Sequence, residues 1–157
     1  MEISAHIRNR PNEHEVRLST AGAGQRLAVA AKASGSGSAV NGGELLMAAL
    51  ATCYCNDLYR EAARLGIEIT GCEVVATAQF NGVGLGAESV VYSAKVESSA
   101  SPEQVELLFV ETDRLAEIHN TLRAGCPVQR VAWHEPEREQ GQSHTSSADG
   151  SRPELKR

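Results

Sequence analysis

NGGELLMAALATCYCNDLYREAARLG, residues 41–66, is the longest segment of this chain that reads as a single helix. Leu45, Met47 to Ala51, Cys53, Tyr54, Leu58, Ala62 and Leu65 leave little polar surface before Asn56, and a helix apolar nearly all round is buried on most sides. Asn41 is placed to act as N-cap, with Glu44 three residues on in the capping-box position. Arg60 and Arg64 complement the dipole at the far end, and Gly66 suits the residue just past the helix. Two thiols, Cys53 and Cys55, lie mid-helix among small side chains. A thiol so placed is either inert packing or a tuned nucleophile, and most of the functional question reduces to that choice.

The chain has 157 residues, room for one domain with its own core, and aromatics make up only 4%, so that core is built from small aliphatics. A formal net charge of −5 supplies no basic stripe to neutralise phosphates, which argues against nucleic acid as the partner. No run of ~18 apolar residues and no basic start with an apolar h-region is present, so neither a membrane span nor a signal peptide is expected. The expected compartment is the cytoplasm. There the four cysteines, Cys53, Cys55, Cys72 and Cys126, are expected as free, catalytic or metal-binding thiols rather than as a disulfide framework.

Outward from the helix, three short strands are expected on the N-terminal side: residues 2–9, 14–20 and 25–31, with turns at Pro11-Asn12 and at residues 21–24. KASGSGSAVNGG (32–43) is a Gly/Ser linker into the helix; it lacks the spacing of a phosphate-binding loop. On the C-terminal side, residues 67–81 alternate as a long strand with a bulge at Gly71, and residues 88–98 pair back onto it. Ser101-Pro102-Glu103 opens a second helix whose stripe runs from Val105 to His119. A break is expected at residues 120–125, then a last strand at 126–133. The expected domain is 1–135, with 136–157 a polar, disordered tail. Strands in runs with two interspersed helices give an α+β fold, helices on one face of a mainly antiparallel sheet.

ELLMAALATC (44–53), behind a Gly/Ser segment and ahead of a strand beginning near Ile67, resembles the OsmC/Ohr family of osmotically induced and organic hydroperoxide resistance proteins. The family pattern is E-x-L-x-x-A-x-x-x-C on a central helix, and the order of elements over residues 1–134 fits it too. The resemblance implies an intertwined α+β homodimer whose central helices pack together. It implies thiol-dependent reduction of small hydrophobic peroxides: a thiolate attacks the peroxide, a second cysteine resolves the sulfenic acid, and a glutamate and an arginine polarise the site. No metal or organic cofactor is implied, and the reducing thiol is unspecified. The chemistry stands on general grounds, because the thiolate is the nucleophile and sulfenic acid condenses with a nearby thiol.

Carried over residue by residue, Cys53 takes the attacking position and Glu44 the acidic one. On a straight helix these two are ~13 Å apart on opposite faces, so Glu44 joins a site with Cys53 only through a helix break or a partner chain. Arg8, Arg10 and Arg17 fall where the family has its arginine, and Arg10, in the turn, is preferred. The resolving cysteine has two alignments. Cys126-Pro127-Val128 resembles the family's C-P-[VY] signature and makes Cys126 the resolver. Setting residues 116–121 against C-P-[VY]-S-N-[AT] instead keeps the following turn in register and puts Ala116 in the cysteine's place; this second alignment is preferred. Cys55 lies ~200° around the helix from Cys53, too far for a disulfide and a poor chelate for zinc. Cys72 reads as packing, and His119 as a dipole-complementing residue or a base near the thiol. The rival readings are a non-catalytic member that binds a small hydrophobic ligand, and a redox sensor.

Overall fold

The computed structural model describes residues 1–133, and the tail expected at 136–157 lies outside them. The fold is α+β with antiparallel pairing throughout, in two separate sheets rather than one. Strands β1 (Ile3–Arg10), β2 (Glu13–Thr20) and β3 (Ala23–Leu27) form the first sheet in chain order. Two-residue turns join them: Asn12 has φ +62°, and Ala21 and Gly22 have φ +50° and +84°. The expected 32–43 linker is a closed loop, with Lys32 N–H donating to Gly37 O (3.1 Å) and Ala39 N–H to Ala30 O (2.9 Å).

Helix α1 (Gly42–Leu65) keeps the bounds its sequence dictates. Asn41 Oδ1 accepts from Glu44 N–H at 2.9 Å, and Glu44 Oε2 accepts from Asn41 N–H at 2.7 Å, a complete capping box. Gly66, at φ +68°, closes the helix in the left-handed region that an L side chain rarely adopts. The second sheet is the hairpin of β4 (Gly71–Phe80) and β5 (Ala87–Glu97), whose irregularity falls at Gln79/Phe80 and not at the expected Gly71. Residues 67–70 do not join the strand: Ile67 N–H still donates to Ala62 O, prolonging the end of α1.

The core lies between α1 and the β4–β5 hairpin, with α2 (Pro102–Leu115) against the helix. Tyr54, Leu58, Ala62, Ile67, Leu108 and Ala116 are buried, flanked by Cys72, Val74, Tyr92, Ala94 and Val96 from alternate hairpin positions. The second helix does not run on to residue 119 as expected. It stops at Leu115; Ala116 takes an extended conformation (ψ 107°), and α3 (Glu117–Ala124) restarts at once, through the segment expected to be a break. Ala116 N–H closes α2 on Thr112 O and its carbonyl accepts from Asn120 N–H, while Asn120 Nδ2 donates to Arg114 O at 3.0 Å. The junction thus satisfies the orphaned helix ends of both pieces.

The strand expected at 126–133 does not form; that segment is irregular and exposed. A strand needs a partner, and no strand among the described residues pairs with it. Much apolar surface is also left uncovered. Ile7, Val16 and Leu27 are directly opposed across the first sheet, yet Ile7 is 53% and Leu27 41% exposed, and no helix packs on that sheet to more than a marginal extent. Ala48 and Ala49 on α1 and Val75 and Val91 on the hairpin's outer face are exposed as well. No helix among the described residues is long and apolar enough to cross a membrane.

Candidate functional site

Helical spacing builds one side of the site. Cys53, Asp57 and Arg60 follow at intervals of four and three, so their side chains share a face of α1. The first turn of α3 closes over that face. The Cys53 thiol donates to Asp57 Oδ2 at 3.4 Å and approaches Glu117 Oε2 at 3.8 Å. Arg60 Nη1 holds the outer oxygens of the same two carboxylates, 2.8 Å from Asp57 Oδ1 and 3.6 Å from Glu117 Oε1. A charge ladder continues along α1: Arg60 Nε lies 3.2 Å and Arg64 Nε 2.5 Å from the buried Glu61, and Arg64 Nη2 reaches Glu111 at 2.9 Å.

The electrostatics of Cys53 are mixed. Burial pushes its thiol up from the ordinary value, and the Asp57 and Glu117 carboxylates push the same way. The backbone N–H of Ile118, in the first turn of α3, works against them by hydrogen-bonding the sulfur, as donors at a helix N-terminus do for any anion. Asp57 is itself raised by burial, which makes it a stronger base than an ordinary carboxylate, although Arg60 and the Cys53 thiol oppose that rise. Cys53 Sγ and one oxygen each of Asp57 and Glu117 lie within 4.8 Å of one another, a donor set that suits a divalent cation.

Beside this cluster His119 is buried, 3% exposed, between two rings: the centroid of Tyr92 is 4.5 Å away at an edge-on 78°, that of Tyr54 5.2 Å away. Neither ring nitrogen has a hydrogen-bond partner among the described residues. Tyr92 donates its hydroxyl to Asp113, which also pairs with Arg123 at 2.6 Å. Burial, then the Arg123 guanidinium, holds the imidazole below its ordinary 6.5 against the pull of Asp113 and Asp57. The unfolded state is then the better proton binder, so stability is complete above pH 6.5 and falls as the pH drops through it. One such proton gives a slope of at most about 1.4 kcal/mol per pH unit. Replacing His119 by Phe is expected to flatten the stability profile below pH 6.5 in thermal melts, and an unchanged slope would assign that titration to another group.

The remaining candidates are dispersed. Glu44 is exposed and occupied in its capping box. Arg10 is exposed at the end of β1 opposite Glu13, and Arg8, Arg17 and Arg26 converge on Glu15 at 2.8, 2.9 and 3.3 Å. Cys126 is exposed, one residue beyond the Gly125 that ends α3. Since α3 meets Cys53 with its first turn and runs eight residues, Cys126 leaves it at the far end, ~12 Å along the axis. Ala116, by contrast, is fully buried and immediately precedes the two residues that touch Cys53.

Sequence reasoning missed Asp57 and Arg60, although the spacing from Cys53 carried the signal. It missed Glu117 and Ile118 because their approach depends on the break at Ala116. It also missed that Cys55 and Cys72, taken separately above, meet with their sulfurs 2.9 Å apart.

Comparison with known proteins adds to this geometry. The model of the OsmC-like protein family matches residues 35–130. No curated protein matches the chain. Among solved structures, an OsmC-like protein from Mycoplasma pneumoniae superposes with a TM-score of 0.54 at 18% identity, over 80% of this chain and 91% of that one. An organic hydroperoxide resistance protein from Elizabethkingia anophelis gives 0.55 at 16% identity, over 80% and 90%. A hypothetical protein from Aquifex aeolicus gives 0.56 at 12%, over 85% and 97%. At such identities the likeness is one of fold.

Proposed function

The chain belongs to the OsmC-like protein family, and on that premise we propose that it reduces organic hydroperoxides, with Cys53 as the attacking thiolate. The observation that carries the reading is the meeting of Cys53 with the first turn of α3, where the Ile118 N–H points at the sulfur and Asp57 accepts the thiol proton. Asp57 takes that proton as the sulfur attacks the terminal peroxide oxygen. The O–O bond breaks, and the proton passes to the departing alkoxide, leaving an alcohol and a sulfenic acid. An external thiol then condenses with the sulfenic acid, releasing water, and a second thiol reduces the mixed disulfide. Cys126 is the rival resolver, and it reaches Cys53 only if α3 moves.

The working unit in this proposal is a homodimer in the cytoplasm. A second chain covers Ile3, Ile7 and Leu27 of the first sheet and the exposed alanines of α1. Glu44 and Arg10 then act across the interface, since within one chain Glu44 lies about 13 Å up the helix from Cys53 and Arg10 belongs to a sheet no helix covers. One observation favours a second reading, in which the protein is a non-catalytic binder of small hydrophobic ligands: the Cys53 thiol is pushed up rather than down, which slows its oxidation.

The test is consumption of tert-butyl hydroperoxide with dithiothreitol as reductant, together with trapping of the sulfenic acid by dimedone. Turnover with a dimedone adduct on Cys53 is expected. Neither turnover nor adduct would leave only the binding reading.

A further inference from the structure

Cys55 and Cys72 lie on the side of α1 turned away from Cys53. Their sulfurs are 2.9 Å apart, inside van der Waals contact and not bonded, although 17 positions separate them in the chain. The contact joins two elements that the core already clamps together, the middle of α1 and the first residues of β4. A bonded pair sits at about 2.05 Å, so the sulfurs have less than about 1 Å left to close. The pair is also within reach of solvent. Both cysteines are half-buried, and Tyr59, one turn on from Cys55, is 46% exposed and near enough for the Cys72 thiol to push its hydroxyl up.

We propose that Cys55 and Cys72 are a second redox centre: a hydroperoxide oxidises them to a disulfide that staples α1 to β4, independently of Cys53. One of the two loses its proton and attacks the terminal peroxide oxygen, breaking the O–O bond; the alkoxide leaves as the alcohol, and the attacker becomes a sulfenic acid. The other thiol attacks that sulfur and water departs. Two thiols have lost two protons and two electrons, and the peroxide has taken them up to become alcohol and water. Because neighbouring Cys72 and burial push the Cys55 thiol up to about 11, the pair oxidises more slowly than an exposed thiolate, and faster as pH rises. The disulfide locks the helix bearing Cys53 against the sheet beneath it.

The test uses the full chain as Cys53→Ser, because tryptic cleavage leaves Cys53 and Cys55 in one peptide (33–60) and Cys72 in another (65–95). After treatment with tert-butyl hydroperoxide, a crosslink between these peptides is expected, together with a fall from three free thiols to one. Cys55→Ser and Cys72→Ser should each yield none of this crosslink. Wild-type protein, whose folding is not in question, should lose the same two thiols to differential alkylation. If Cys53→Ser yields no crosslink while wild type does, the pair depends on Cys53; if neither does, the pair is packing. Either result overturns the proposal. Since the readout is covalent and omits Cys53, it stands apart from the failure or success of the Cys53 turnover assay.

Discussion

Hydroperoxide turnover is expected to fall in Cys53→Ser to no more than the slow rate that the Cys55–Cys72 pair sustains, and to stay within about twofold of wild type in Cys126→Ser, the scale of an ordinary surface substitution. The asymmetry follows from α3. Its first turn, not its last, meets Cys53, and Cys126 leaves from the opposite end into an exposed, irregular segment. Ala116, with no thiol, occupies the buried junction next to Cys53. A sulfenic acid formed there has to wait for a thiol from solution, so the rate in steady state should rise with dithiothreitol concentration. Coupled measurement of peroxide loss in the two variants checks this. If Cys126→Ser falls as far as Cys53→Ser, the chain is a two-cysteine enzyme, and α3 must unwind or swing during each cycle.

What the sequence made legible was local. The bounds of α1, its capping box and its closing glycine depend on residues within four positions of one another, and each stands where it was read. The order of strands and helices, itself a string of local readings, carried the fold class, and the local family motif agreed with it. What escaped reading was long-range. Ala116 has the best helix propensity of any residue, yet the helix breaks there because Asn120 caps the carbonyl of Arg114 and the junction is buried. Residues 126–133 read as a last strand, but a local reading cannot supply the neighbour that a strand pairs with. The meeting of Cys55 with Cys72 required both the phase of α1 and the register of β4, and neither alone suggests it. The site was half visible for the same reason: the α1 half is a matter of spacing, the α3 half a matter of packing.

Leu58→Ala is expected to cost about 2–5 kcal/mol of folding stability, the range for removing a large aliphatic side chain from a packed core. Leu58 is 0% exposed and belongs to the cluster of Tyr54, Leu108 and Ala116, where α1, α2 and the α2–α3 junction converge. With domain stabilities of about 5–15 kcal/mol, that loss removes a large part of the total. Val83→Ala, at a fully exposed loop position, is the control and should stay within about 0.5 kcal/mol. Urea unfolding at several protein concentrations reads both variants and separates subunit dissociation from the loss of core packing. Leu58 is also one position beyond Asp57 and packs at the junction that delivers Glu117 and Ile118 to Cys53. A cavity at Leu58 should therefore loosen the approach of α3 before it unfolds the chain, so peroxide turnover should drop under conditions where the variant is still folded. Equal stability losses in the two variants would mean that α1, α2 and α3 do not share this core.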